Sequence, residues 1–323
     1  QCPSQILRNS AVNWYQTYQK FMKGACGRPK RKPKTDKGSI YLTREVFHFD
    51  RCEDGNLRLF IGTKTNNIGY LSFKAHRKFE IPNSLYVRKD RGQYTVSFCY
   101  ENGKNEVELS SNAEHLAFLQ GSTKEYLEES VIGVDRGVAI PAHAGSMTFD
   151  FCDNQKKKMT KVDRYIKRLQ RKLSRQTKGS NRRNKTKHRI ATHHAKKANI
   201  RNDFAHKTSR SLVDSQAKVI VFEALSTSRM TRKPKAKQNE QGRYVSNKAK
   251  QKAGLNKSIL NVGWHIIEIY TKYKAYQAGK AVFKVNPAYT SQECAKCGHT
   301  HPDNRESQEL FVCGNCGNTD NAD

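Results

Sequence analysis

Acid is scarce in this chain. Only 29 Asp and Glu stand against 60 Lys and Arg in 323 residues, a formal net charge of +31. A surplus of that size repels itself in any compact state unless a polyanion neutralises it, and its clustering argues against a merely lysine-rich solvated surface. Long apolar runs are also missing. The longest are strand-sized, such as VIVF at 219–222, far below the roughly 18 residues that a membrane helix needs. No charged, apolar, then small-residue pattern marks a secretory signal at the start, although the chain opens on Gln1 and not Met. A basic amphipathic helix with a bulky aromatic face, which would suit a membrane surface, is lacking too. Among polyanionic partners these absences leave nucleic acid. Disulfide frameworks are disfavoured as well: Cys2, Cys26, Cys52, Cys99 and Cys152 are scattered, as reduced thiols of a cytosolic protein would be.

What is present divides the chain. Residues 1–27 read as helical, with Ile6, Val12 or Trp14, Tyr15, Tyr18 and Phe21 near a helical period. GRPKRKPK at 27–34 then carries five cations, and its prolines stop the helix. From 39 to 110, short alternating runs punctuated by Asn, Gly, Asp and Pro predict an antiparallel β unit, a small barrel or curled sheet. A second unit begins near 130. VIGVD at 131–135, KVIVFE at 218–223 and AVFKV at 281–285 read as buried strands. Between them, 156–214 predicts a long helical hairpin broken at KGSN (178–181), 231–256 a Lys-rich loop, and Ser258–Ala278 one helix stopped by Gly279. On that last helix Leu260, Trp264, Ile267 and Tyr270 would share a face. Strands alternating with helices imply a mixed or parallel α/β sheet.

Four cysteines stand apart from the scattered five. Cys294 and Cys297, then Cys313 and Cys316, form two Cys-x-x-Cys pairs separated by a loop of 15 residues. Each pair can set two thiolates on one tetrahedral zinc, and Gly298 and Gly317 follow directly, where amides must turn towards sulfur. Four thiolates make the site closed and structural. His299 and His301 are surplus to it.

Acids that end buried strands are the candidates for catalysis. Asp135 follows VIGV and Glu223 ends KVIVFE. A carboxylate at such a tip is costly without a cation. That cation could be a neighbouring Arg or Lys, or Mg²⁺, which takes oxygen ligands. Asp320 or Asp323 behind the cysteines could supply a third carboxylate.

GVDRG, VIVFEALSTSRM, NVGW and the stretch from NPAYTSQECAKCGHTHPDNRES to the terminal NAD closely resemble the TnpB (OrfB) family of transposon-encoded RNA-guided DNA nucleases, relatives of the miniature type V CRISPR effectors. The resemblance runs through most of the chain and is most specific over its last 38 residues. It implies a RuvC-type, RNase H-like α/β nuclease domain at 129–323 carrying a zinc ribbon at 288–318 and the basic hairpin. Before it would come an antiparallel, wedge-like β domain at 37–128, and at 1–36 the end of a helical recognition region with its linker. It further implies that Asp135, Glu223 and Asp323 hold two Mg²⁺, with Asp320 a turn residue. The family's Asn-Ala-Ala, the helix it opens, the first strand and most recognition helices would lie outside Gln1–Asp323.

The implied activity is cleavage of double-stranded DNA that is complementary to a guide RNA from the transposon end and carries a short adjacent motif. The chain would act as a monomer or weak dimer per RNA, without a membrane, in a prokaryotic cytoplasm at the nucleoid. A triad-less guided repressor and a zinc-ribbon, transposase-type DNA binder are the alternatives, and the acids at all three positions weigh for the nuclease. Residues 156–189 hold 16 Lys and Arg against the single acid Asp163. Without acidic partners for pairs four residues apart, Arg168, Arg171, Lys172, Arg175, Lys178, Asn181, Arg182 and Arg183 read as nucleic-acid contacts. Arg28, Lys30, Arg31, Lys32 and Lys34 read either so or as a plain linker. Arg305 either reaches the scissile phosphate or is an exposed ribbon-loop cation. Tyr289 either stacks on a base or packs on the sheet.

Overall fold

The alternation that begins at residue 39 is expressed as six antiparallel strands around one core. The computed structural model of the chain describes residues 2–31, 38–51, 57–75, 79–90, 93–99, 112–307 and 310–321, and divides into two compact units, Gln1–Asn105 and Glu106–Asp323. In the first unit α1 (Ser4–Met22) precedes β1 (Gly38–Thr43), β2 (Phe47–Arg51), β3 (Leu57–Gly62), β4 (Asn67–Phe73), β5 (Ser84–Asp90) and β6 (Gln93–Ser97). Two three-stranded sheets result, β1-β5-β6 and β2-β3-β4. Successive side chains of a strand face opposite ways, so Leu59 and Ile61, or Leu85 and Val87, turn inward together. With Leu42, Val46, Phe47 and Ile6 of α1 they form the unit's core. At Gly62 the register shifts and φ is +138°, where a Cβ would lie 2.5 Å from the Asn66 carbonyl oxygen. The aromatic stripe of α1 stays largely outside that core: Trp14 is 60% exposed and stacks on Tyr18 at 5.4 Å.

The second unit opens with α2 (Asn112–Gln120) and α3 (Lys124–Ser130), followed by β7 (Val131–Val134), β8 (Ala142–Ala144) and β9 (Met147–Phe149). Next come the hairpin helices α4 (Asp153–Ser174) and α5 (Asn181–Asp214), then β10 (Val219–Glu223) and α6 (Thr227–Met230). The small pair β11 (Lys237–Gln238) and β12 (Tyr244–Val245) leads to α7 (Ala249–Val262) and α8 (Trp264–Gln277). The unit ends with β13 (Ala281–Val285), β14 (Leu310–Val312) and β15 (Thr319–Asn321). β10 lies parallel between β7 and β13. The β8–β9 hairpin joins the other edge of β7, where Asp135 and His143 exchange two backbone hydrogen bonds of 2.9 Å. The parallel sheet is therefore β7-β10-β13, and the separate antiparallel β8–β9 hairpin is bridged to it at Asp135. Val134, Ile220 and Phe222 of the strands pack with Phe204, Leu212 and Val213 of α5 and Ile267 and Ala275 of α8.

The helical hairpin breaks where KGSN predicted, with Gly179 at φ +87°. Asp163, the lone acid of the basic stretch, binds Lys197 of α5 at 2.7 Å and Lys257 of α7 at 2.9 Å, and so ties three helices together. The single helix expected over Ser258–Ala278 is two. Gly263 takes φ +82° between α7 and α8, the left-handed stop that glycine provides. Leu260 is consequently 58% exposed, while Trp264 and Ile267 are buried. α7 also claims residues from Ala249 that composition assigned to a loop. No described helix is long and apolar enough to cross a membrane.

Candidate active site and metal centre

Asp135 sits one residue beyond β7 and Glu223 is the last residue of β10, adjacent parallel strands in register from Val219 against Val131. Two acids that sequence places at strand tips thereby line one cleft of about 650 Å³, with His143, Thr290, Glu293, Arg305 and Asp320 also in its wall. Burial, and then the charge of Asp135, push the Glu223 carboxyl above its ordinary value, opposed by Arg136 and a hydrogen bond from Thr290. Such a pair gains from a cation between its members. Asp323, the third expected ligand, lies outside the described residues, as do Lys32 and Lys34. Asp320 belongs to β15, opposite Phe311, and lines the cleft rather than a turn. Arg305 bridges to Phe311 and its Nε donates to the Ser307 carbonyl at 3.3 Å, so it is a half-buried part of the cleft wall.

The residue after the first acid organises the strand tips. Arg136 gives its backbone amide to Asp135 Oδ1 at 2.7 Å, reaches the Glu223 carbonyl with Nη2 and lies 5.2 Å over the Phe222 ring. Its Nη1 meets Glu268 of α8 at 3.2 Å, with both side chains nearly buried. Lys272 and Lys284 complete the surroundings of that carboxylate at 3.1 and 2.6 Å. Trp264 Nε1 donates to the Gly137 carbonyl at 2.9 Å, fixing the turn that leaves β7. The Arg136–Glu268 pairing carried no sequence signal, because it spans 132 residues.

The four expected cysteines come together. Their sulfurs all lie within 4.8 Å of one another, the one cluster of three or more metal-ligating side chains among the described residues. Cys294 and Cys316, and Cys297 and Cys313, are 3.6 Å apart, against about 3.8 Å for sulfurs bound tetrahedrally to zinc at 2.3 Å. Gly298 and Gly317, at φ +71° and +67°, send their amides to the carbonyls of Cys294 and Cys313 at 2.8 and 2.9 Å. The His299 amide above all holds the Cys297 thiol down at about 6. The Asn318 amide favours a Cys316 thiolate, yet Cys297 and burial push that thiol up to about 12. Thiols this close cannot all ionise without a cation, so the donor set fits a structural Zn²⁺. Asn304, 1% exposed, joins the two halves: its Nδ2 donates to the Gln292 and His299 carbonyls and its Oδ1 accepts from Gly314.

The basic residues divide. Arg168, Arg171, Lys172, Arg175, Lys178, Asn181 and Arg182 are exposed on α4, α5 and their connection, as are Arg28, Lys30 and Arg31 after α1. Arg183 is otherwise engaged: its Nη1 donates to the Leu173 and Gln176 carbonyls and closes the end of α4.

Comparison with known proteins gives the family and the fold. Residues 97–234 match the family described as "Probable transposase" and residues 264–323 the "Cas12f1-like, TNB domain". InsQ of Escherichia coli (strain K12), provisionally named an RNA-guided DNA endonuclease, is 32% identical over 327 residues, covering 99% of this chain and 72% of InsQ. A CRISPR-associated endodeoxyribonuclease Cas12f1 of Sulfoacidibacillus thermotolerans is 44% identical over 62 residues, 19% of this chain and 15% of that protein. A Cas12f1–sgRNA–target DNA complex solved by cryo-EM superposes with a TM-score of 0.52 at 13% identity, over 93% of this chain and 65% of that one. The chain thus spans about two thirds of the solved effector's length. Its fold is that of the miniature Cas12f effectors. The chain belongs to the TnpB (OrfB) family.

Proposed function

We propose that the chain is the nuclease-bearing part of an RNA-guided DNA endonuclease that hydrolyses phosphodiester bonds with Mg²⁺. The observation that carries this reading is the convergence of Asp135 and Glu223, from adjacent parallel strands, in one cleft walled by the cysteine ribbon. The parallel order β7-β10-β13, with the β8–β9 hairpin bridged to Asp135, supports reading the domain as RuvC/RNase H-like, with acids at the tips of β7 and β10. Asp135 and Glu223, joined by Asp323, would hold the metal. When bound, Mg²⁺ supplies an activated hydroxide and charge neutralisation at the leaving 3′ oxygen. Arg136 keeps the tips of β7 and β10 together, Thr290 orients the Glu223 carboxylate, and Arg305 in the cleft wall is placed to meet a phosphate.

Sequence specificity needs no base-reading side chains where a guide RNA pairs with its target. The exposed cations of α4 and α5 supply a surface for the backbone of that heteroduplex, and those after α1 a second. Purified protein with its co-purifying RNA is expected to cut matching double-stranded DNA only with Mg²⁺. Asp135→Ala should abolish cutting while leaving target binding intact. Binding should weaken steeply with salt. Cleavage by Asp135→Ala at the parental rate refutes the site, and a flat salt profile refutes the cationic surface.

A further inference from the structure

The segment between β13 and the first cysteine forms one wall of the cleft, through Pro287, Thr290 and Ser291. Thr290 donates its hydroxyl to the Pro287 carbonyl at 3.2 Å and lies near enough to Glu223 to oppose the rise of its pKa. Tyr289 stands in that segment with a backbone φ of +67°. Among the described non-glycine residues only it and Lys248 have positive φ. That region is disfavoured for any residue with a Cβ, and a bulky side chain there is a rarity. The turn itself accounts for the backbone: the Tyr289 carbonyl accepts from the amides of Gln292 and Glu293 at 2.8 and 3.0 Å, feeding the chain into Cys294. It does not account for the ring, since glycine would adopt the same turn without strain. Nor does packing. The residue is 67% exposed, and among the described residues no hydrogen bond or ring contact involves its side chain. Backbone strain maintained for an unpacked aromatic points to a partner outside the protein.

The chemistry of the surroundings narrows that partner. The ring is flat and neutral, and its chain neighbours Pro287, Thr290 and Ser291 line the cleft in which the nuclease reading sets a metal-bound phosphate, so the matching group is a nucleobase a short way along the strand. Bases inside a duplex already stack on their neighbours, which leaves an unpaired base as the one with a free face. We infer that Tyr289 is the stacking platform for a base of single-stranded DNA laid across the Asp135–Glu223 cleft. The inference rests on the nuclease reading for the path of the strand, and it adds the residue that fixes the strand's register.

The test uses the full chain carrying Asp135→Ala to prevent turnover, and a single-stranded DNA oligonucleotide with 2-aminopurine placed at successive positions. One position should change fluorescence on binding, and the dissociation constant should rise roughly tenfold in Tyr289→Ala and Tyr289→Gly but not in Tyr289→Phe. Tyr289→Gly relieves the backbone, so a loss of affinity there cannot be a loss of folding, and its melting temperature should equal or exceed the parent's. An abasic residue at the responsive position should cost the parent the same factor and cost Tyr289→Gly nothing more. Unchanged affinity in Tyr289→Gly, or a loss that the abasic residue fails to reproduce, overturns the inference. Tyr289-dependent binding that favours an RNA oligonucleotide overturns the assignment to DNA. Cutting is read separately with Asp135 intact: a chain that stacks but never cuts refutes only the nuclease reading, and one that cuts and binds independently of Tyr289 refutes only the platform.

Discussion

Replacing Glu268 with alanine removes the carboxylate on which Arg136, Lys272 and Lys284 converge. The side chains of Arg136 and Glu268 are 3% and 6% exposed, while the two lysines are 47% and 41% exposed. The lysines can turn into water and their share of the loss is small. The guanidinium cannot. Truncating one partner of a buried pair costs about 3–5 kcal/mol, and Arg136 keeps the Glu223 carbonyl and the Phe222 ring, so about 3 kcal/mol is expected. Burial works against the Glu268 charge, yet hydrogen bonds from Lys284 and Lys272 hold its carboxyl below the usual range. The stabilisation is therefore present above the ordinary glutamate pKa and is lost as pH falls through the lower, folded value. The gap between parent and Glu268→Ala should be widest near neutrality and shrink in acid. The chain has two tryptophans. In a Trp14→Phe background, Trp264, 4% exposed beside this cluster, reports urea unfolding of the second unit alone. Adding Arg136→Met to Glu268→Met should return much of the stability, but not the tie to Glu223, so DNA cleavage should stay impaired. A gap below about 0.5 kcal/mol at neutral pH, or one that persists unchanged in acid, refutes the clamp.

Three further outcomes follow from the same geometry. Cys313→Ser, or exposure of the parent to a strong chelator, should take bound zinc from one equivalent to none by atomic emission and expose the ribbon to protease; a ribbon equally resistant without metal contradicts the structural ion. Asp163→Asn should cost about 1–3 kcal/mol at neutral pH by loosening Lys197, whose side chain is 7% exposed. Although burial opposes it, hydrogen bonds from Lys197 and Lys257 lower the Asp163 pKa. That cost should vanish as pH falls through the lowered value, and a helix-melting difference that is flat in pH argues otherwise. Gly137→Ala would set a Cβ 2.8 Å from the Ile140 carbonyl oxygen, an overpacking of about 1–3 kcal/mol. Because Trp264 anchors on that turn, its emission should shift red; unchanged emission and stability would show that the turn relaxes freely.

Which parts of this protein can be read without coordinates depends on how far each signal reaches along the chain. The four cysteines announce themselves because a knuckle is a local object: its ligands, its glycine and its amide hydrogen bonds fall within five residues. Asp135 and Glu223 stand out for a similar reason, each being an acid that ends an apolar run. Their meeting in one cleft follows from a parallel sheet whose alternation with helices is itself legible. Arg183 shows the limit of a local signal, because a cation on a basic helix looks the same in sequence whether or not it also caps the last carbonyls of the preceding helix. Gly263 was hidden inside a continuous helical pattern that only its left-handed backbone interrupts. Glu268 and Asn304 are the instructive omissions. Each is a polar residue whose burial is tolerable only because folded partners saturate it, three cations around one, Arg136 among them from 132 residues away, and two carbonyls and an amide around the other. A buried polar group that the sequence leaves unexplained therefore marks where the fold holds the chemistry in place. The acids and thiols carry the visible motifs, and these two residues fix the distances at which the motifs act.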